Sequence, residues 1–375
     1  MTVEETLAEL VRINSVSANS NTEIIEYLAA CAETIGFRVR RFPYVDARGV
    51  EKVNMVAVAG ANSLDAQIEL AIVGHTDTVP YDPSWSEATV LTARDGKLYG
   101  RGSCDTKGFI AAALDAVEGV DRGRLRRPLA LVFTADEEVG CLGAKRLADA
   151  RALRARYSIV GEPTSLQPMR AGKGYCLAEI TVRGREGHSA YPALGASAIF
   201  RAARLVAGIE EIAERLKAEE HAAFDPPYTT VNVGLITGGT AKNILAGQCR
   251  FTLEWRPVPG QKPDHALDLI REAVERERKR DADFECEIDV TRIDGGVETA
   301  ADSPLVRMLE EATGRSAGTV AFGTEAPQMT ELGAQAVVLG PGNIREAHRT
   351  GEFVPVSELR ACAAILARAV EHFCM

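Results

Sequence analysis

The chain has 375 residues, 46% of them hydrophobic and 26% charged, which is too long for one comfortable core and ordinary for a globular protein of two domains. A net charge of −10 argues against a nucleic-acid surface, and no apolar run reaches the roughly 20 residues that a membrane-spanning helix needs. The acidic, amphipathic start MTVEETLAEL is neither a secretory signal nor a transit peptide, and the eight cysteines form no CxxC pair, so reduced thiols and a cytoplasmic location are expected.

Two helices are predicted first, over 2–13 and over NTEIIEYLAACAETIGF, with Asn21 or Thr22 as cap and Gly36 as stop. Short apolar runs bounded by turn residues follow: VNMVAVAG (53–60), QIELAIVG (67–74), PLALVFTA (128–135), YSIVG (157–161) and QAVVLG (335–340). Nearly continuous apolar runs of this length suit strands covered on both faces, and the helical KGFIAAALDAVE (107–118) lies among them. The expectation is an α/β domain with a mostly parallel sheet and helices on both faces.

Between 175 and 290 the pattern changes. YCLAEITVRG, TTVNVGLI, CRFTLEW and FECEIDV alternate apolar with polar, and amphipathic helices are predicted near 195–217 and 263–279. This reads as an inserted α+β domain, a four-stranded antiparallel sheet with two helices on one face. The boundaries are placed at 1–171 and 293–375 for the first domain and 172–292 for the insert. Of two basic stretches, RGRLRR (122–127) and REAVERERKR (271–280), the second alternates sign as a solvated helix face does.

The informative polar residues sit just past the apolar runs. QIELAIVG leads into His75 and Asp77, PLALVFTAD into Glu137 and Glu138, and YSIVG into Glu162. Asp105 lies in the turn GRGSCD before a helix, and His348 follows the loop GPGNIREA. Sites in open α/β sheets form beyond the carboxyl ends of strands, so these pieces can share one rim. Two histidines with several carboxylates suit zinc, cobalt or manganese and lack the thiolates of a structural zinc site.

Each residue has a plainer reading. Asp105 could cap the following helix, Glu137 and Glu138 could be loop charge, and His75 could be a satisfied strand-end histidine. Jointly they favour a metal site, because one of only six histidines follows a buried-looking strand in a His-x-Asp pair. A ligating imidazole needs an acceptor for its other N–H, and Asp77 is the candidate. The Gly-rich GRGSCDTKG and ITGGTAKN give neither a Walker nor a GxGxxG pattern after a strand.

HTDTVPYDPSW, DGKLYGRGSCDTKGFIAA, TADEEVGCLGAK, VGEPT, GREGHSAYP and GPGNIREAHRTGEFV closely resemble the zinc-dependent deacylase and exopeptidase superfamily, which holds deacetylases, desuccinylases, aminoacylases and carboxypeptidases. The resemblance implies two divalent metal ions, zinc first and cobalt or manganese as alternatives. In it His75, Asp105 and Glu162 match one ligand set with Asp105 the bridge, Glu138 and His348 the second, and Glu137 the general base, with Asp77 behind His75. It further implies that the insert is a lid that also forms a homodimer, with His188 reaching the partner subunit's site, and that Asn243 and Arg256 bind the substrate carboxylate. Without the resemblance, His188 would be a surface histidine and Arg256 a strand-end salt-bridge residue.

The stretch FGTEAPQMTELGAQAVVLGPG (322–342) is similar to the acetylornithine deacetylases, so the resemblance implies loss of the acetyl group of N-acetylornithine, a small-molecule substrate. Other acyl amino acids, a carboxypeptidase or dipeptidase activity, and a non-catalytic protein that kept the fold are the alternatives. Glu325 is open between meeting a cationic substrate and stabilising its loop, and Cys104 and Cys141 are expected to pack beside the ligands.

Overall fold

The computed structural model describes the chain except for Asn62, Leu64, Asp65 and the side chain of Arg122, so that part of the basic 122–127 stretch lies outside the described residues. The chain divides into two compact units. The first comprises Met1–Arg170, Thr299–Gly318 and Thr324–Met375, and the second Ala171–Glu298 with Thr319–Gly323.

Six strands of the first unit's sheet lie in the order Arg38–Val45, Glu51–Ala59, Leu129–Thr134, Gln67–His75, Arg154–Val160, Gln335–Val338. The last four are mutually parallel. Every residue of Leu129–Thr134 is buried, as expected of a strand covered on both faces. Leu129, Leu131 and Phe133 join the core formed with helices Val3–Arg12, Lys107–Glu118 and Val356–Cys374. By the period-two alternation of a strand, Ala130, Val132 and Thr134 face the other way, where helices Leu142–Asp149 and Ala326–Glu331 contact the sheet.

The Glu51–Ala59 strand, predicted within the parallel set, pairs antiparallel on both sides. Its partner Arg38–Val45 escaped prediction, because RVRRFPYV is an edge strand without a buried position and carries no apolar stripe. Asn21 precedes the Thr22–Thr34 helix but makes no side-chain cap. Its amide instead bonds both backbone groups of Val53, tying the helix start to the neighbouring strand.

In the second unit four antiparallel strands lie in the order Thr230–Gly238, Gln248–Arg256, Tyr175–Arg183, Glu285–Asp294. Alternate residues Ala178, Ile180, Phe251 and Trp255 face a core shared with helices Ala198–Leu216 and His265–Arg280. The alternating charges of 271–280 lie on the latter helix with only Ala273 and Val274 buried. Among the described residues no helix is long and apolar enough to cross a membrane.

Candidate active site

The register of the parallel strands brings the polar residues together. His75 pairs with Thr134, and Val73 with Val160, so the first two strands finish level and the third stops two residues short of them. His75 ends the first, Glu137 and Glu138 follow the second, and Glu162 follows the third after a glycine. That glycine is required by packing: a Cβ on Gly161 would lie 2.1 Å from the Phe109 ring.

Asp105 comes from the turn before helix Lys107–Glu118, whose N-cap is Thr106, so it does not cap that helix. The Asp105–Thr106 peptide is cis. The Glu352 carboxylate accepts the N–H groups of Cys104 and Asp105 at 2.9 and 3.0 Å, and its other oxygen pairs with Arg101 at 2.5 Å. Reading by sequence gave Glu352 no role. Its signal was its place inside GPGNIREAHRTGEFV, four residues after His348.

Two groups of potential ligand atoms result, each within 4.8 Å of one another: His75, Asp105 and Glu162, and Asp105, Glu138 and His348. Asp105 belongs to both. Its Oδ1 is 3.0 Å from Nε2 of His75, and its Oδ2 is 3.1 Å from Nε2 of His348, which lies 3.0 Å from Glu138. Neither group contains a cysteine. Cys104 Sγ donates to the carbonyl of Asn343, and Cys141 Sγ to Oε1 of Glu137 at 3.2 Å.

The acceptor for the second imidazole nitrogen is Asp77, through its backbone carbonyl and not its carboxylate. Nδ1 of His75 lies 3.0 Å from the backbone carbonyl of Asp77 and 3.7 Å from its carboxylate. The carboxylate instead accepts the Glu137 and Glu138 N–H groups at 3.0 and 3.3 Å and the Ser17 hydroxyl at 2.7 Å. Asp77 thus holds both the ring and the Glu-Glu loop.

The crowded carboxylates resist ionisation. Burial, with repulsion from Glu138, Glu325 and Asp105, lifts Glu137 to about 8 against the pull of His75. Burial and the neighbouring Asp105 and Glu137 raise Glu162 well above the usual carboxylate range. Burial alone would raise Asp105 too, but hydrogen bonds from His348 and His75 hold it low. The Asp105 and Glu138 hydrogen bonds raise His348 to about 10. A dication would relieve this repulsion, and imidazoles with carboxylates are suitable donors for one, so the residues fit divalent metal.

A pH dependence follows for the chelated protein. Glu137 unfolds to an ordinary 4.5 from about 8, and His348 to 6.5 from about 10, so above the lower value of each pair the native state holds protons that the unfolded chain has released. Stability from these groups is complete below the unfolded values and drains away as pH rises through the folded ones. Asp105 acts oppositely, but only below its ordinary 3.8. The melting temperature of chelated protein should fall by roughly 5 °C or more from about pH 5 to about pH 8, and added metal should restore it. A melting temperature that climbs across this interval would contradict the burial and repulsion described here.

His188, Asn243 and Arg256 lie in the second unit. His188 is exposed, with its Gly187–His188 strand paired to Ile244–Leu245, and Ser189 N–H donates to the carbonyl of Asn243, so the first two are neighbours. Arg256 pairs with Glu254 at 2.7 Å, donates to the carbonyl of Ala321 and lies over the Tyr175 ring. Glu325, in the first unit, is 1% exposed, and burial pushes its carboxyl up to about 7.

The sequence profile of peptidase family M20/M25/M40 matches residues 71–372. The chain belongs to that family. It is an enzyme of a metal-dependent hydrolase group. Acetylornithine deacetylase of Myxococcus xanthus is 55% identical over 98% of this chain and 97% of its own length. That of Proteus mirabilis is 35% identical over 99% and 96%. Among solved structures, a tripeptidase from Staphylococcus aureus superposes with a TM-score of 0.80 at 22% identity, covering 99% of this chain and 97% of its own. A family M20 metallo-carboxypeptidase from Sulfolobus solfataricus does so with a TM-score of 0.73 at 19% identity, covering 99% of both. These two likenesses concern the fold: a parallel-sheet α/β unit with a separate antiparallel domain.

Proposed function

We propose that the chain hydrolyses N-acetylornithine to ornithine and acetate in the cytoplasm, using two zinc ions. The substrate reading is supported by the 55% identity to an acetylornithine deacetylase over nearly the full length of both chains. The two-metal reading is carried by one observation, the membership of Asp105 in both ligand groups.

In this reading His75, Asp105 and Glu162 hold one ion, and Asp105, Glu138 and His348 the other. Bound there, the ions supply Lewis acidity toward a water and an acyl carbonyl. Glu137 takes the proton of the attacking water and hands it to the departing amine, so the C–N bond breaks without expelling an amide anion. Asp77 fixes the tautomer of His75 through its carbonyl and the heading of Glu137 through its carboxylate. Asn243 and Arg256 bind the substrate carboxylate, for which a guanidinium fork is suited. His188 serves the oxyanion of the partner subunit's site.

The homodimer would form through the second unit. Its edge strand Thr230–Gly238 exposes Leu235 and Ile236, at 70% and 53%, on a row of unpaired backbone groups that a second copy could cover. Sizing should give twice the chain mass; a monomer would remove the trans role of His188.

The deciding experiment is amine release from acetylornithine, acetylcitrulline, acetylmethionine, succinyl-diaminopimelate and a dipeptide, with zinc, cobalt or chelator. Chelator-sensitive release fastest on acetylornithine is expected. Faster release from another acyl compound or the dipeptide would overturn the substrate, and none from any would overturn catalysis.

A further inference from the structure

The Glu51–Ala59 strand carries a charge where charge is costly. Lys52 is 1% exposed and Asp136, its partner at 2.8 Å, is 0% exposed. A buried ion pair is a weak source of stability, since two desolvations offset the attraction. The pair therefore calls for another account, and its connections supply one.

Lys52 Nζ donates to the backbone carbonyls of Ser17 and Asn19, each at 2.8 Å, and forms its ion pair with Oδ1 of Asp136, a buried oxygen that has no hydrogen-bond partner of its own among the described residues. The other Asp136 oxygen accepts the Tyr44 hydroxyl at 2.9 Å. Asp136 has φ +57°, in the left-handed region, and immediately precedes Glu137. Side chains other than glycine enter that region at a cost, which the buried partners of Asp136 can meet.

The contacts close into a ring. Lys52 grips Ser17 by its carbonyl, and the Ser17 hydroxyl donates to Asp77. Asp77 accepts the N–H groups of Glu137 and Glu138, and the residue before them returns to Lys52. Ser17 and Asp77 are buried as well. The loop is thus held from two sides, by Asp77 on its amides and by Lys52 and Tyr44 on Asp136.

We infer that Lys52 is a positioning residue: through Asp136 and Ser17 it fixes the direction in which Glu137 and Glu138 leave the sheet. It touches no substrate, being buried with its charge paired to Asp136 and two of its donors on backbone carbonyls. The inference rests on the proposed roles of Glu137 as base and Glu138 as ligand. A misplacement near 1 Å at such a base costs about 10²-fold in rate.

The test uses Lys52→Met, and Lys52→Met/Asp136→Asn, which leaves no unpaired buried charge should the single variant fail to fold. Amide hydrogen exchange is followed in the chelated full-length proteins, and kcat, KM and stepwise metal affinity in the metal-loaded ones. The 135–142 amides should exchange about tenfold faster or more, with the 67–75 strand unchanged. In the same variants kcat should fall about 10²-fold with KM within about threefold, and the ion held by Glu138 and His348 should weaken while the other does not. Unchanged 135–142 exchange in the double variant would overturn the inference and leave the proposed function standing. Faster exchange with kcat and both metal steps intact would instead overturn the roles given to Glu137 and Glu138, and the positioning role with them.

Discussion

Replacing Glu137 by Gln should lower kcat by about 10³-fold or more while leaving the metal content and KM close to those of the parent. The side chain keeps its length and an oxygen able to accept the Cys141 thiol, which now sits 3.2 Å from Oε1. The loop also keeps its heading, because Asp77 grips the backbone N–H groups of 137 and 138 and not their side chains. Glu137 belongs to neither ligand group, so the donor set is untouched. What is lost is the one capacity an amide lacks, that of taking a proton and giving it back. The same variant should lose the part of the acid limb of the kcat profile that Glu137 sets, since a base must be ionised to act. Steady-state kinetics beside metal analysis of the same preparation are the measurement. Full turnover with metal retained would end the assignment of Glu137 as base.

Much of this site could be read before the fold was known, for a physical reason. Strands buried on both faces must be apolar along their length, so the first charged residue past each run marks its carboxyl end, as with QIELAIVG before His75 and YSIVG before Glu162. What stayed hidden depends on direction and partnership. The antiparallel sense of Glu51–Ala59 is not encoded in its apolar pattern, which a buried parallel strand would share. The Arg38–Val45 edge lacks a buried stripe to find. Asp77 was rightly taken as a neighbour of His75, but a carbonyl and a carboxylate on one residue are indistinguishable in a string of letters. Lys52 and Glu352 escaped because a buried ion is recognised only by partners remote in sequence: Asp136 for the first, Arg101 for the second.

Asp105→Ala should be the most damaging single change at the ligands, and its damage should differ in kind from that of His348→Ala. The Asp105 carboxylate presents Oδ1 to His75 and Oδ2 to His348, so removing it takes a donor from both groups at once. His348 serves only the group with Glu138, leaving His75, Asp105 and Glu162 complete. After dialysis against metal-free buffer, the His348 variant should keep about one ion per chain and the Asp105 variant almost none. Each lost ion removes charge stabilisation worth several kcal/mol, so kcat/KM for Asp105→Ala should fall by about 10³-fold or more. The turn itself should survive, because Glu352 holds it by the backbone N–H groups of 104 and 105, which alanine retains. Far-ultraviolet circular dichroism can check that, separating loss of a ligand from loss of the fold. If Asp105→Ala bound one ion as tightly as the parent, the two groups would not share this carboxylate, and the second ion would need another ligand.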